Sequence, residues 1–115
     1  MITIEEAKAY LRDDWMCTYK AEELIKTANT IVFNESRLSQ KYWEEIEKCT
    51  LVNKELHSKK EIIRVALLYT IGYLYEHDNP EDIHDLVLTL RNLLFSIRVE
   101  EDLRDKGWDA DVSVS

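Results

Sequence analysis

The chain has 115 residues, 45% hydrophobic and 33% charged, with one Pro and two Gly. That length suits a single domain, and so few turn-forming residues predict a mostly helical one. The formal charge of −8 is uneven: residues 1–60 carry ten Lys/Arg against eleven Asp/Glu, and residues 61–115 carry five against twelve, a balance that argues against tight phosphate binding.

Thr3 followed by Glu6 is a capping-box pattern, and Ile4, Ala7 and Leu11 then share one face, so a short first helix is expected to about Arg12. Asp13 and Asp14 break it by competing for the backbone. Ala21, Leu24, Ile25, Ala28, Ile31 and Val32 repeat at helical spacing and predict a second, amphipathic helix. Residues 34–60 are harder to read. Tyr42, Trp43 and Ile46 predict a short helix near residues 40–48, whereas Leu51, Val52 and Leu56 fit a strand or a loop equally well. A connection this long inside a small domain usually serves a function, which makes Tyr42, Trp43, Ile46, Leu51 and Val52 candidates for an oligomer interface.

Ser58, with Glu61 three residues on, is the expected cap of a central helix over residues 62–75 that is apolar on nearly every side. Its Gly72 costs about 1 kcal/mol relative to Ala and implies that another helix comes close. Asn79 as cap and Pro80 at the first position then open a helix with the stripe Ile83, Leu86, Val87, Leu90, Leu93, Leu94 and Ile97. The expected fold is all-α, a bundle of about four to five helices around an apolar central helix. Its core is drawn from Leu11, Leu24, Ile25, Ala28, Val65, Leu68, Tyr69, Gly72, Leu86, Leu90, Leu93 and Leu94. Residues 1–98 form the helical domain; residues 99–115, with six acids and two bases, form a flexible acidic tail in which Leu103 and Trp108 are candidate anchors for a partner.

Chemistry is sparse. His57, His77 and His84 lack the paired spacing of a zinc site, and the acids Glu76, Asp78, Glu81 and Asp85 beside them have no glycine-bearing oxygen-rich loop. No nucleophile elbow or phosphate-binding loop occurs, and pairs such as Glu5–Glu6 or Glu81–Asp82 fit helix-start electrostatics. No catalytic residue, metal or cofactor is therefore expected. Tyr69, Tyr73 and Tyr75 suit packing better than base stacking. Cys17 and Cys49 read as reduced thiols, and MITIEEAKAYLR lacks a basic leader followed by an apolar run, so a cytosolic protein with no membrane contact is expected.

Three blocks together resemble the gp6-like phage head-tail connector proteins, also described as DNA-packaging proteins: MITIEEAKAYLR at the start, IIRVALLYTIGYLYEHD in the middle, ending in Tyr75 and Glu76, and LRNLLFSIR near the end, with Leu93, Leu94, Ile97 and Arg98. They occur in the family's order; Ser96 and Ile97 stand where it usually has Pro and Tyr. The resemblance implies a non-enzymatic structural subunit of a homo-oligomeric ring, dodecameric in the virion. The ring lies below the portal protein, extends the DNA channel without sequence-specific binding and bridges to the next connector or tail protein. It further implies assembly in the host cytoplasm and residence in the virion. The tail has no counterpart in the resemblance; its anchors Leu103 and Trp108 are the candidate portal contacts on the residues' own account. A different class fits the charge as well: a small acidic phage-encoded regulator or DNA mimic bound to a basic site on a host protein.

Overall fold

The computed structural model describes residues 1–77 and 82–105, with side chains through residue 100. These residues form six helices, in order α1 (Ile4–Leu11), α2 (Thr18–Ser36), α3 (Gln40–Lys48), α4 (Lys54–His77), α5 (His84–Leu93) and α6 (Phe95–Asp105), and no strand occurs among them. The all-helical class expected from the sequence is what the chain adopts.

Side chains explain several of the helix ends. Thr3 Oγ1 accepts from the Glu6 N–H at 3.1 Å while the Glu6 carboxylate accepts from the Thr3 N–H at 3.3 Å, a complete capping box for α1. Ser39 caps α3 by accepting from the Tyr42 N–H at 3.2 Å. With glycine scarce, α1 and α2 end on arginines in the left-handed region, Arg12 at φ 55° and Arg37 at φ 61°. The α2 end is tied further by buried Ser36, whose hydroxyl donates to the Phe33 carbonyl at 2.7 Å and accepts from the Leu38 N–H at 3.2 Å.

Packing centres on the pair α2 and α4; α1 and α5 each rest on both of them, α3 packs on α4, and α6 packs on α5. One cluster fills the interior, with Ala7, Ala28, Val32, Trp43, Ile46, Ile63, Leu67, Ile71, Leu86, Leu90, Leu94 and Ile97 at its centre. Phe33 meets Trp43 edge-on at 5.3 Å between centroids, a favoured aromatic geometry that pins α2 against α3. Arg64 of α4 holds α1 by hydrogen bonds to the Glu6 carboxylate and the Met1 carbonyl. The body is a thin plate, 55 × 34 × 19 Å.

Several expectations change. The central helix starts a turn before Ser58, at Lys54, because Asn53 Oδ1 accepts from the Leu56 N–H at 3.2 Å and so provides the cap. The supposed long connection after residue 34 is therefore mostly α3 and helix ends. Asn79 and Pro80 lie outside the described residues; within them the next helix opens at His84, whose N–H donates to Asp82 Oδ1 at 2.9 Å. The stripe from Ile83 to Ile97 is divided between two helices, since Leu94 leaves helical geometry at φ −96°, ψ 9°. Residues 99–105, expected to begin a flexible tail, continue α6, and residues 106–115 lie outside the described set.

Candidate functional site

Two ends of α4 gather the side chains that the core leaves out. At its C-terminal end, Tyr69, Tyr73 and Tyr75 of α4 meet Tyr10 of α1 and Tyr19 of α2, five of the six tyrosines at one corner, with Trp15 in the loop that joins α1 to α2. Gly72 makes this possible: a Cβ there would stand 3.2 Å from Tyr10 Cε1, so the missing side chain lets the Tyr10 ring lie against the helix. Tyr10, Leu11, Tyr69, Gly72, Tyr73 and Tyr75 line a groove of about 430 Å³. On the other side of Tyr75, Tyr19, Lys20, Leu24 and Leu74 line a second groove of about 370 Å³.

The corner is held in shape by polar contacts. The Tyr75 hydroxyl donates to Asp13 Oδ2 at 2.8 Å, and that bond to a carboxylate pushes the phenol above its ordinary pKa. Lys20 Nζ sits 5.7 Å from the centre of the Tyr75 ring, within cation–π range. Tyr73 stacks on His77 at 4.0 Å, and His77 Nδ1 lies 2.9 Å from the Tyr73 carbonyl. Outside this scaffold stand Trp15, 96% exposed, and the exposed Tyr19. Large aromatic groups on a fixed frame are the usual anchors of protein interfaces. Sequence reasoning passed over both, treating Asp13–Asp14 as a helix break without asking where the following Trp would go.

At the N-terminal end of α4, Lys59 is buried and gathers three helices. Its Nζ donates to the Tyr42 hydroxyl of α3 at 2.8 Å and to Glu100 Oε1 of α6 at 2.9 Å, with Glu55 Oε1 at 3.5 Å. Burial opposes the charge, but the bonds to Tyr42 and Glu100 outweigh it and raise the Lys59 pKa above its ordinary value. Arg98 adds a second tie, bonding the Glu35 carbonyl and approaching its carboxylate to 3.5 Å. Leu88 of α5 and Phe95 and Val99 of α6 are exposed.

The predicted site residues separate accordingly. Of the interface candidates, Leu51 and Val52 are exposed in the turn before α4, Val52 at 91%. Trp43 and Ile46 are buried in the subunit's own core and Tyr42 is half-buried against Lys59, so the first two are corrected from interface to core. Among the core candidates, Ala28, Leu86, Leu90 and Leu94 are buried, and Leu11, Leu24, Ile25, Leu68 and Leu93 pack at its margin, with Gly72 half-buried. Val65 and Tyr69 are corrected to the surface, at 55% and 39% exposure. Leu103 lies on α6, and Trp108 lies outside the described residues.

Among the described residues no group of three or more His, Cys, Asp and Glu could hold a metal ion, and no helix is long and apolar enough to cross a membrane. His57 faces Glu61 at 3.7 Å, and Cys17 and Cys49 are free thiols. Compared with known proteins, the chain matches no family model, no curated protein and no solved structure.

Proposed function

We propose that this chain is a structural subunit of a phage or prophage head-tail connector, which joins copies of itself into a ring below the portal, extends the DNA channel and carries the next connector or tail protein. The observation that carries the reading is the amount of large apolar side chain left on the surface of a well-tied helical body: Trp15, Tyr19, Leu51, Val52, Leu88 and Phe95 are all exposed, in more than one region. Separate apolar regions suit a part that contacts several neighbours at once.

The three sequence blocks behind the family resemblance also form one packed unit. The first supplies α1, the second the C-terminal part of α4 on which α1 lies through Arg64 and Gly72, and the third the junction of α5 and α6. Position 96, where the family usually has Pro, falls in the first turn of α6, a place where Pro fits a helix well. An excess of acids suits a channel wall along which DNA must slide without adhering. Residues 106–115, with Trp108, together with Leu103 on α6, are assigned to the portal contact.

The regulator or DNA-mimic reading would require acids in an unbroken array on one rigid face. On α3 the exposed Glu44, Glu45 and Glu47 are flanked by exposed Lys41 and Lys48, which interrupts an acidic face and favours the connector. The deciding experiment is light scattering of the purified chain, alone and mixed with the portal ring of the phage or prophage that encodes it. Co-elution with portal, lost on deletion of residues 106–115 while helical circular dichroism is retained, is the expected result. A chain that ignores portal and binds a basic host protein instead would overturn the reading.

A further inference from the structure

We propose that the tyrosine groove at the C-terminal end of α4 is a binding site for an arginine side chain of a partner protein. The site lies beyond the connector reading and does not depend on it.

Tyr10, Tyr69, Tyr73 and Tyr75 bring four phenol rings to this groove of about 430 Å³, and Glu76 and His77 complete its polar lining; among the described residues that line it none is Lys or Arg. The hydrogen bonds already made there decide what remains to be satisfied. The Tyr75 hydroxyl donates its proton to Asp13 Oδ2 at 2.8 Å, which leaves the oxygen's lone pairs to accept. A carbonyl can only accept, so His77 Nδ1, 2.9 Å from the Tyr73 carbonyl, carries the proton, and the neutral ring then has Nε2 as an acceptor. Glu76 adds an exposed carboxylate, and the other phenols can turn to donate or accept. Ring faces together with acceptors call for a ligand that is flat, cationic and rich in donors. A guanidinium is all three: planar, always charged, with five N–H donors and no acceptor.

The chain already uses this chemistry on its own cations. Lys59 Nζ lies 5.2 Å from the centre of the Tyr42 ring and 2.9 Å from Glu100 Oε1, so phenol and carboxylate hold an ammonium between them. Lys20 Nζ lies 5.7 Å from the centre of the Tyr75 ring, and Lys20 lines the adjoining groove. The groove lined by Tyr10 and Tyr73 repeats the set of phenol and carboxylate with no basic residue in its lining. The wider field agrees. The segments that build the corner, residues 8–23 and 69–77, carry three bases (Lys8, Arg12, Lys20) and five acids (Asp13, Asp14, Glu22, Glu23, Glu76), a net of −2 with His77 neutral. Such a field draws in a cation. Beside the groove, Tyr19 lines the adjoining one and Trp15, 96% exposed, lies in the loop between Tyr10 and Tyr19, so there is apolar surface for the residues that flank the arginine. That surface fits a side chain borne on a polypeptide.

The test is a titration of the full, nitrogen-15-labelled chain, followed by amide chemical shifts, with the blocked tripeptide acetyl-Gly-Arg-Gly-amide and with its citrulline counterpart. Citrulline keeps the shape of arginine but replaces one N–H group by a carbonyl oxygen and loses the charge. The arginine peptide should bind saturably, with dissociation constants on the order of millimolar, and shift amides of residues 10–11 and 69–77. The citrulline peptide should leave them in place. Glu76→Gln and Tyr69→Ala, at positions outside the core cluster, should each weaken binding about fivefold, with circular dichroism verifying the fold. Shifts that do not saturate, shifts centred elsewhere on the acidic surface, equal binding of citrulline, or unchanged binding in Glu76→Gln would overturn the proposal. Neither result bears on portal binding by the tail, which is measured separately.

Discussion

Glu6 does two jobs at once: it closes the capping box on Thr3 and accepts a hydrogen bond from Arg64, thereby linking the first turn of α1 to the middle of α4. The bond from Arg64 holds its carboxyl below the ordinary value of 4.5. A depressed folded pKa adds stability above the unfolded value, and that increment is lost as pH falls through the folded one. Glu6→Gln should therefore make the chain less stable at neutral pH and flatten its acid-induced loss of stability below about pH 4.5, measured by urea unfolding across pH. Arg12 presents the opposite situation, a side chain in a backbone region that suits glycine. Arg12→Gly should stabilise the fold by up to about 1 kcal/mol in the same assay, by removing the left-handed strain. The capping box was legible because its spacing is local. The left-handed arginines were not, because nothing in the composition says which non-glycine residue must reverse the chain when glycine is scarce.

The division between α5 and α6 shows what pattern alone misses. Leu90, Leu94 and Ile97 are all buried, so the apolar stripe runs in phase through a bend at which the backbone leaves helical geometry. Periodicity reports the buried face and is blind to a single residue's torsion when the face continues. Placement of the bend at Leu94 makes a specific prediction. Ser96→Pro, in the first turn of α6, should change stability by less than about 1 kcal/mol, whereas Asn92→Pro, in the last turn of α5, should cost about 3 kcal/mol in chemical denaturation. The start of α4 was misplaced for a related reason: Ser58 and Glu61 imitate a cap, but Asn53 already caps the polar turn before them. On the same helix, an apolar run legible as buried on all sides is covered on only part of its circumference. Sequence reveals that a residue is apolar, and the number of available neighbours decides whether it is covered, which is why Val65 and Tyr69 ended on the surface. The helical reading of residues 40–48 held because Ser39 provides a cap and Tyr42, Trp43 and Ile46 share a face; its burial inside the subunit then removed two residues from the candidate interface.

For the whole molecule, helix content and core were legible from spacing, while the candidate contact surfaces were mostly not, since an interface residue and a core residue have the same chemistry until the fold sorts them. Val52 and Leu51 were placed on the surface, Trp43 and Ile46 in the interior, and Trp15 emerged as the most exposed large hydrophobic side chain among the described residues without having been selected. The thinness of the plate has a consequence for thermodynamics. Its radius of gyration is 15.5 Å, against about 13 Å for a compact chain of this length. A flattened body buries less apolar area per residue than a rounded one, so on the connector proposal a binding neighbour has more stability to add. Mass action then ties folding to association, because whatever binds only the folded state draws chains out of the unfolded one. The melting temperature followed by circular dichroism should rise with protein concentration, and the rise should shrink in the double variant W15A/Y19A. If the proposed assembly holds, assembly and heat resistance are one equilibrium measured in two ways.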